Sequence, residues 1–450
     1  MQKKIMTATF RILLFSFFLI TTTVFSQKTN SSILNSFTNR VFKGEGYRPI
    51  GDLKWKFKTE GKIFSSPITK NGILYVGSED GYFYAIDEKS GNLKWKFKTN
   101  GAVHSSPSIL ENTIYFGSFD GHYYAVNLTT GKELWKFKTG GEHFYQETGM
   151  WGMKPLDVVM DDLWSFYLSS PAVYKNNKST LVVFGSSDGN VYAVDAKKGQ
   201  LSWKFKTNAA VHSTPIIDKN TLYIGSWDAD LYALNCDTGK LKWKFETGKK
   251  QGFKGIQSSV AVANGTVYLS AREPYIFAVD AETGKLQWKY DAENSWILST
   301  IVIKNDILYV GTSDTYALLG LDAKTGKELL RFETKGYVYD TPAIAGNTAY
   351  FGDFTGNFFA LNLLSSGKEF NSISTENRKE NAAKILNNNK LDALYVAKDF
   401  DLSLYSENKK IMDEFYKLGP IVSSPFISNN SVYFGSADGY LYAYHLQKSK

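Results

Sequence analysis

Short runs of alternating apolar and polar residues, separated by turns that contain glycine, recur along the chain from residue 51 onward. In the unit 65–97, residues 73–77 and 82–86 are rich in β-branched and aromatic side chains, and residues 95–98 alternate apolar with charged ones. Such segments are typical of β-strands. With an opening strand at 65–68 and an Asp80-Gly81 hairpin turn, each unit is predicted to contain four strands.

Five units carry a fixed pattern, in which Asp or Asn is followed by Gly four residues later and by Trp eight residues later, and Gly51 and Trp55 repeat the second half of it. The Trp residues are Trp55, Trp95, Trp135, Trp203, Trp243 and Trp288. Most are separated by about 40 to 45 residues, the period of a β-propeller blade. We expect each Trp to fill the wedge between neighbouring blades and to donate its indole N–H. A closed ring makes residues 51–450 one domain, although length alone suggests about three.

The number of blades follows from the residues that open the inner strands, which are Ser65, Ser105, Ser169, Ser213, Ser258, Ser299, Asp340 and Ser423. The eighth unit stops at Tyr444 without a Trp strand, whereas residues 51–57 have the same residues as 91–97 at all but one position. The sequence therefore predicts an all-β, eight-bladed propeller of four-stranded antiparallel blades. The N-terminal strand completes the C-terminal blade, so that no sheet edge is left open between the chain ends.

Residues 371–420 complicate this count, because the gap from Asp340 to Ser423 is two repeats long. The segment has few β-branched residues, and Ile411, Phe415 and Leu418 share one face at helical spacing. A mostly helical insertion is the favoured interpretation. A degenerate ninth blade around Tyr395 is the alternative.

The N-terminus has the features of an export signal. Lys3, Lys4 and Arg11 precede a mostly apolar stretch and a small residue at Ser26, so residues 1–26 are predicted to be a secretory signal peptide and residues 27–50 a linker. An uncleaved N-terminal anchor is the alternative. No other segment is predicted to cross a membrane, and the mature protein is expected in the periplasm or outside the cell.

Charge and cysteine content narrow the class of protein. The formal net charge is +8, and many lysines alternate with apolar residues on the outer strands, where they guard exposed edges or attract anionic envelope polymers. Nucleic acid is not expected as a partner of an exported chain. Cys236 is the only cysteine, so neither a disulfide nor a lipid-anchoring cysteine at the cleavage site is available.

The repeated Tyr-Val-Gly-Ser-x-Asp-Gly and Thr-Gly-Lys-x-x-Trp motifs resemble the pyrroloquinoline quinone-like (PQQ-like) propeller repeat, from residue 51 to the C-terminus. The resemblance implies one of two functions: a quinoprotein dehydrogenase, or a non-catalytic envelope scaffold of the BamB-like branch. The dehydrogenases hold their quinone beneath a disulfide of adjacent cysteines, over a tryptophan and beside calcium and a carboxylate base. Because Cys236 stands alone and no calcium-binding set is assignable, PQQ binding is not expected and the scaffold is favoured. A PQQ-dependent enzyme with a degenerate site is the alternative.

Propeller geometry predicts where a binding site lies. The links between blades and the turns between second and third strands emerge on one face, and all large insertions (140–167, 248–256 and 371–420) are in such links. The predicted binding residues are Phe119, Trp227, Arg272 and Phe354 at equivalent turns, with Tyr145, Trp151 and Trp164 from the first insertion. That insertion is interpreted either as a plug over the channel or as a contact surface. Envelope proteins or polysaccharide are the expected partners of a monomer.

Polar residues are also predicted at the mouth of the central channel. His104 and His212 precede inner strands in two repeats, and Gln257 and Asp340 are assigned to equivalent positions. Convergent groups of this kind can bind a metal or a small polar ligand, but a repeated His is more often structural. No metal site, nucleophile–base pair or phosphate loop is predicted. The sequence therefore favours an exported, non-catalytic protein-interaction or ligand-binding scaffold.

Overall fold

Eight antiparallel sheets of four strands follow one another around a central axis. The protein is described from a computed structural model that covers residues 33–35, 40–248 and 255–449. Blades 1 to 4 are built from these strands, given from the axis outward: Ile68–Lys70, Ile73–Gly77, Tyr82–Asp87 and Leu93–Lys98; Ser108–Leu110, Thr113–Ser118, His122–Asn127 and Glu133–Lys138; Ala172–Lys175, Thr180–Gly185, Asn190–Asp195 and Leu201–Lys206; Ile216–Asp218, Thr221–Gly225, Asp230–Asn235 and Leu241–Glu246.

Blades 5 to 8 continue the ring in the same way, and blade 8 takes its outer strand from the N-terminus. Their strands, from the axis outward, are Ala261–Ala263, Thr266–Ser270, Tyr275–Asp280 and Leu286–Asp291; Val302–Lys304, Ile307–Gly311, Ala317–Asp322 and Glu328–Glu333; Ala343–Ala345, Thr348–Gly352, Asn357–Asn362 and Phe370–Ser374; Phe426–Ser428, Ser431–Gly435, Tyr440–Leu446 and Ile50–Lys58. The predicted fold class is confirmed.

Closure of the ring depends on the pairing of the two chain ends. Ile50–Lys58 runs antiparallel to Tyr440–Leu446, with Trp55 opposite Ala443 and Phe57 opposite Leu441. In every other blade the outer strand follows its third strand directly along the chain. The N-terminal strand therefore supplies the missing strand of blade 8, as predicted from its match to residues 91–97.

A closed ring of hydrogen bonds joins the eight inner strands around the channel. In each blade the second residue of the Ser-Ser-like opening donates its backbone N–H to the hydroxyl of the equivalent residue in the next blade, at 2.7 to 3.3 Å. The eight residues are Ser66, Ser106, Ser170, Thr214, Ser259, Thr300, Thr341 and Ser424, and the bond from Ser424 to Ser66 completes the circuit. These bonds pair backbone groups that have no partner in their own sheet, which buried polar groups require.

The six repeat tryptophans join neighbouring blades near the rim. Each indole N–H donates to a backbone carbonyl of the next blade at 2.8 to 3.2 Å, for example from Trp203 to the Cys236 carbonyl. The ring lies over the turn glycine of that blade, so that a Cβ on Gly239 would come within 2.5 Å of the Trp203 ring. At the junctions from blade 6 to 7 and from blade 7 to 8, Leu330 and Asn371 stand in place of Trp.

The segment before blade 8's outer strand differs from the predicted linker 27–50. Ile33–Asn35 pairs with the inner strand of blade 2, and Val41–Phe42 pairs in parallel with the inner strand of blade 7. The chain then passes Thr348, whose hydroxyl accepts a hydrogen bond from the Arg48 N–H (2.8 Å). Because inner strands line the axis, these additions lie at the channel. The predicted signal peptide, residues 1–26, lies outside the described residues.

The predicted helical insertion contains three helices, α1 (Glu376–Ile385), α2 (Ala393–Val396) and α3 (Tyr405–Tyr416), with a 3₁₀ turn at Ala397–Asp399. The Thr375 hydroxyl caps α1 by accepting from the Arg378 N–H. Ile411, Met412 and Phe415 are the buried face of α3. The insertion begins at Thr375 and not at residue 371, because Phe370–Ser374 is the outer strand of blade 7. In the described part of the chain, no helix is long and apolar enough to span a bilayer.

Candidate functional site: the plugged channel mouth

The insertion at residues 140–167, called the plug here, folds down into the mouth of the channel. It contains a hairpin of Gln146–Thr148 and Val159–Asp161 and a 3₁₀ turn at Met150–Gly152. Phe166 is buried, and the Tyr167 hydroxyl donates to the Tyr339 carbonyl across the axis (2.8 Å). The face that carries the plug, the helices and the turns between second and third strands is called the upper face.

The plug and the helical insertion share one apolar core above the channel. Trp164 packs against Phe354 (centroids 5.6 Å apart) and Phe415 (6.4 Å), and it meets Tyr337 edge to face at 5.4 Å. The backbones also join, because the Lys154 N–H donates to the Ser403 carbonyl (2.7 Å). The two insertions therefore form a single cap, and the interpretation of residues 140–167 as a plug matches its packing.

A buried ion pair links the plug to blade 5. Arg272 pairs with Asp162 of the plug, and both side chains are nearly inaccessible to solvent. The guanidinium lies 4.7 Å from the Trp227 ring and 5.0 Å from the Trp296 ring, while Tyr145 stacks on Trp227 at 4.0 Å. Removing one member of such a pair leaves an uncompensated buried charge. The pair therefore holds the plug in its place.

His212 belongs to a chain of hydrogen bonds beside this ion pair. The Trp227 indole donates to His212 Nδ1 (2.9 Å), and Nε2 lies 3.0 Å from Ser187 Oγ. Glu142 Oε2 accepts from the Ser187 hydroxyl (3.0 Å) and from its N–H (2.9 Å). Burial, with smaller contributions from His143 and Arg272, lowers the pKa of His212 to about 3, and burial raises the pKa of Glu142.

The direction of the protons in this chain argues against His212 as a general base for Ser187. An indole N–H only donates, so His212 Nδ1 must accept and the single proton of the neutral ring is on Nε2. Nε2 therefore donates to Ser187 Oγ. A general base that activates a serine needs a free lone pair at that nitrogen. Ser187 and His212 resemble a nucleophile–base pair in distance alone.

His104 lies on the other side of the mouth in an aromatic setting. Its Nδ1 is 2.8 Å from the Phe166 carbonyl, and its ring meets Phe64 and Phe119 edge to face at 4.9 Å. Nε2 is 3.8 Å from Glu79. Although burial opposes the shift, His104 and Lys62 lower the pKa of Glu79 to about 2. His104 thus anchors the plug from below.

The other two predicted mouth residues have different roles. Gln257 accepts from Arg272 Nε at 3.2 Å and so belongs to the ion-pair cluster. Asp340 is not equivalent to His104, because its carboxylate accepts from the Gly352 N–H (2.7 Å) as Ser65 Oγ accepts from Gly77. Tyr339 takes the His104 position. Burial raises the pKa of Asp340 well above the usual value for a carboxyl, and Arg40 from the N-terminal segment opposes this shift.

Little space remains beneath the cap. The cavity lined by His104, Tyr167, His212, Gln257 and the inner-strand hydroxyls has a volume of about 20 Å³, which is room for about one water. Sites for cofactors and small molecules usually enclose about 300 to 1,000 Å³. Among the described residues, no group of three or more His, Cys, Asp and Glu side chains is placed to hold a metal ion.

Burial corrects the predicted binding face. The turns of Phe119, Trp227, Arg272 and Phe354 are equivalent, since each N–H donates to a link carbonyl, but Trp227, Arg272 and Phe354 are buried beneath the cap. They cannot form an exposed contact surface. Phe119, Tyr145, Trp151 and Trp164 are half-buried. For the three buried residues the predicted contact role was wrong, because equivalent turns show which face a residue is on, but not how deeply an insertion covers it.

The exposed apolar residues of this face were missed by the sequence analysis. Leu156, Val158 and Val159 on the plug hairpin are 61%, 47% and 59% exposed, and Leu402, next to the Ser403 that bonds Lys154, is 47% exposed. Together these four residues are called the apolar patch. The run Leu156-Asp-Val-Val was the sequence signal for this patch. An alternating strand is expected to bury some of its apolar side chains in a core, whereas all three apolar side chains of this run are exposed.

The family and structural comparisons agree with this fold. The family model described as outer membrane protein assembly factor BamB matches residues 48–148, 161–255 and 250–450, nearly the whole propeller. The two matched ranges 161–255 and 250–450 meet at the second predicted insertion, of which residues 249–254 lie outside the described residues. Comparison with curated protein sequences finds no match.

Solved structures share the fold at low sequence identity. BamB from Moraxella catarrhalis is 15% identical with a TM-score of 0.60, and the alignment covers 88% of this chain and 99% of that one. The quinohemoprotein alcohol dehydrogenase from Comamonas testosteroni is 14% identical (TM-score 0.63; 92% and 79%). A europium-containing methanol dehydrogenase is also 14% identical (TM-score 0.65; 90% and 96%). These likenesses establish the propeller and not an activity.

Proposed function

The chain belongs to the family of the outer membrane protein assembly factor BamB, and from that premise we propose that it is an exported, non-catalytic scaffold of the bacterial cell envelope. It binds proteins of outer-membrane assembly through its upper face. The observation that carries this proposal is the filled channel: the space that a small molecule would occupy holds the plug, with about 20 Å³ left. The surface that remains for partners is therefore the outside of the propeller.

The apolar patch is the surface that best fits a protein partner. Its four side chains are 47% to 61% exposed. Three of them are on the plug hairpin, and Leu402 is on the segment before α3. Two backbone hydrogen bonds join these segments, from Lys154 N–H to Ser403 and from Tyr405 N–H to Lys154 (3.0 Å). Contiguous exposed apolar residues mark interaction sites. The rigid scaffold beneath the patch lowers the entropy cost of binding.

The residues present do not fit a quinone. Cys236, the only cysteine, is buried between blades, where its carbonyl accepts the Trp203 indole N–H, so it forms no disulfide lid. The Trp227 ring, which faces the mouth, is already stacked by Tyr145 and covered by Arg272. These contacts support the scaffold over the alternative of a PQQ-dependent dehydrogenase.

The partner assignment is tested by a double substitution in the patch. Leu156→Asp with Val159→Asp should lower co-purification of outer-membrane assembly proteins, quantified after cross-linking in whole cells, by at least tenfold. Both side chains point to solvent, so the melting temperature should not change. The matched control is Leu134→Asp on the outer strand of blade 2, which is 52% exposed and should leave co-purification intact. Equal capture by the patch variant would refute the upper face as the docking surface.

Export is tested on the protein itself. The mature N-terminus, read by mass spectrometry of protein from the periplasmic fraction, should follow residue 26. A protein found in the cytoplasm with residues 1–26 intact would contradict the envelope assignment. Retention of the intact leader in the membrane fraction would instead show an uncleaved anchor.

A further inference from the structure

A second surface lies at the rim between blades 6 and 7, next to the α1 end of the cap. An open groove of about 500 Å³ is found there, called the edge groove. Its floor is the third and outer strands of blade 7, with Asn357, Phe359, Phe370, Ser372 and Ser374, and its wall is residues 332–335 of blade 6. Helix α1 covers one end. This volume is in the range of small-molecule and side-chain pockets.

The groove exists because blade 7 lacks the long side chains that cover this position in other blades. In blade 3, Lys204 is opposite Tyr192 and Lys206 is opposite Asn190. The equivalent pairs of blade 7 are Ser372 with Phe359 and Ser374 with Asn357. In blade 1 the corresponding lysines lie over a tyrosine ring, with Lys96 Nζ 4.1 Å from the Tyr82 centroid. Two serines leave that space open.

The outer strand beside the groove is also the least protected sheet edge of the ring. Each of the other seven outer strands carries charged residues. The strand Phe370–Ser374 (Phe-Asn-Ser-Ile-Ser) carries none, and no strand pairs with its outer edge in the described part of the chain. Charges on edge strands are a common guard against pairing with another chain. Their absence here leaves backbone N–H and C=O groups available.

Aromatic and cationic groups define what the groove would bind. Phe332 meets Phe370 edge to face at 4.9 Å, and Phe370 is 47% exposed. At the α1 end are Lys335, Lys379 and Arg378, and the buried Arg378 is positioned by the Thr355 carbonyl (2.7 Å) and Asn389 Oδ1 (2.6 Å). These three cations outnumber the two nearby carboxylates, Glu333 and the Glu376 that pairs with Lys379 (3.1 Å), so this end is positive. An apolar side chain and a carboxylate next to it complement these two parts.

We propose that the edge groove binds an extended peptide segment of a partner protein, which adds as a fifth strand to blade 7. One aromatic or aliphatic side chain of the segment enters the groove beside Phe370, and an acidic residue lies near Lys335 and Lys379. Backbone pairing at a free strand edge provides affinity, and pockets for alternate side chains provide specificity. A saccharide would make no use of the unpaired strand. The site is independent of the apolar patch, so either can fail without the other.

The test uses a phage-displayed library of random heptapeptides as the probe and the purified full chain as the target. Selection should enrich peptides with alternating apolar residues, one of them aromatic or leucine, and with an acidic residue. Synthetic versions should bind at least tenfold more weakly to the double variant Ser372→Lys with Ser374→Lys, which gives blade 7 the lysines of blade 3. A proline in the centre of the peptide should abolish binding, because it removes a backbone N–H.

The matched control is Lys204→Ser with Lys206→Ser in blade 3, which should change the affinity less than twofold. Ser372, Lys204 and Lys206 are exposed and Ser374 is half-buried, and unchanged melting temperatures show that both variants fold. Failure to enrich any peptide, or equal binding to the wild type and to the lysine variant, overturns the proposal. Two further outcomes would overturn it: the wild type binds an acidic oligosaccharide and the lysine variant does not, or the wild type forms a dimer that the lysine variant does not form.

Discussion

At the scale of single residues, the channel mouth is stabilised by buried polar groups that form hydrogen bonds and ion pairs with one another. His212 is neutral because it is buried and because Trp227 donates to its Nδ1. Its pKa of about 3 in the folded protein lies well below the ordinary value of about 6.5 in an unfolded chain. Between these two values the unfolded state binds a proton that the folded state does not bind. Stability is therefore lost as the pH falls below about 6.5.

Replacing His212 with Asn should reduce this pH dependence. The Asn amide oxygen can accept from Trp227 but does not titrate. From pH 7 to pH 5 the wild type should lose about 2 kcal/mol of unfolding free energy through His212, and His212→Asn should lose correspondingly less. Urea unfolding at both pH values measures the difference. Equal losses in the two proteins would show that His212 is not held neutral.

The contact between tryptophan and glycine at the blade junctions is open to a similarly direct test. A Cβ on Gly239 would come within 2.5 Å of the Trp203 ring, whereas a Cβ on Gly265 meets nothing within 4 Å. Both glycines have positive φ, 68° and 76°. Gly239→Ala should therefore cost about 1 to 3 kcal/mol more than Gly265→Ala, because overpacking adds to the same backbone strain. Thermal unfolding of the two variants measures this difference, and equal costs would contradict the docking role.

The repeated tryptophans were sufficient to predict their place between blades and their indole hydrogen bonds, but not their contact with the turn glycine of the next blade. Nor was the sequence sufficient to predict the burial of Trp227 and Arg272. Their turns repeat, but the plug that covers them occurs once, and its Asp162 gives no repeated signal. The place of Asp340 was also misjudged, because a carboxylate there accepts the hydrogen bond that a serine hydroxyl accepts in other blades.

At the scale of elements, strands that follow the repeat were predictable and strands that pair outside it were not. Val41–Phe42 pairs with blade 7 although the segment 27–50 has no alternating pattern of useful length. Phe370–Ser374 lacks the Trp and lysines of the other outer strands and was assigned to the insertion. In both cases the neighbouring strand, and not the segment's own pattern, determines the structure.

Removing residues 1–57 should destabilise the whole ring and not only blade 8. Trp55 is buried and donates to the Glu88 carbonyl of blade 1, and its strand pairs with Tyr440–Leu446. Loss of this strand exposes apolar area worth several kcal/mol at roughly 25 cal/mol per Å². Thermal unfolding should show a large drop against a control that begins at Gln27. A synthetic peptide of residues 48–58 should restore the melting temperature, and an unchanged value without it would refute closure by strand exchange.

At the scale of the whole molecule, the channel is occupied from both ends. The plug, with Trp164 and Phe166, fills the upper end. The N-terminal segment reaches the inner strands from the other direction, where Arg40 donates to the Pro425 carbonyl and pairs electrostatically with Asp340. Among the described residues, the cavity left beneath the plug has a volume of about 20 Å³, which is room for about one water. The two proposed binding surfaces, on the upper face and at the rim, therefore both lie outside the channel.

The filled axis leads to a prediction about cofactor binding. Pyrroloquinoline quinone added with calcium should neither quench the tryptophan fluorescence saturably nor support dye-linked oxidation of alcohols or aldoses, because Tyr145 and Arg272 already cover the Trp227 ring. A quinone could enter only if the plug left the mouth, which would break the buried pair of Asp162 and Arg272. Asp162→Ala is the comparison variant, because it removes that ion pair and so weakens the attachment of the plug. Saturable one-to-one quenching of the wild type, with turnover that depends on added quinone, would contradict the scaffold assignment.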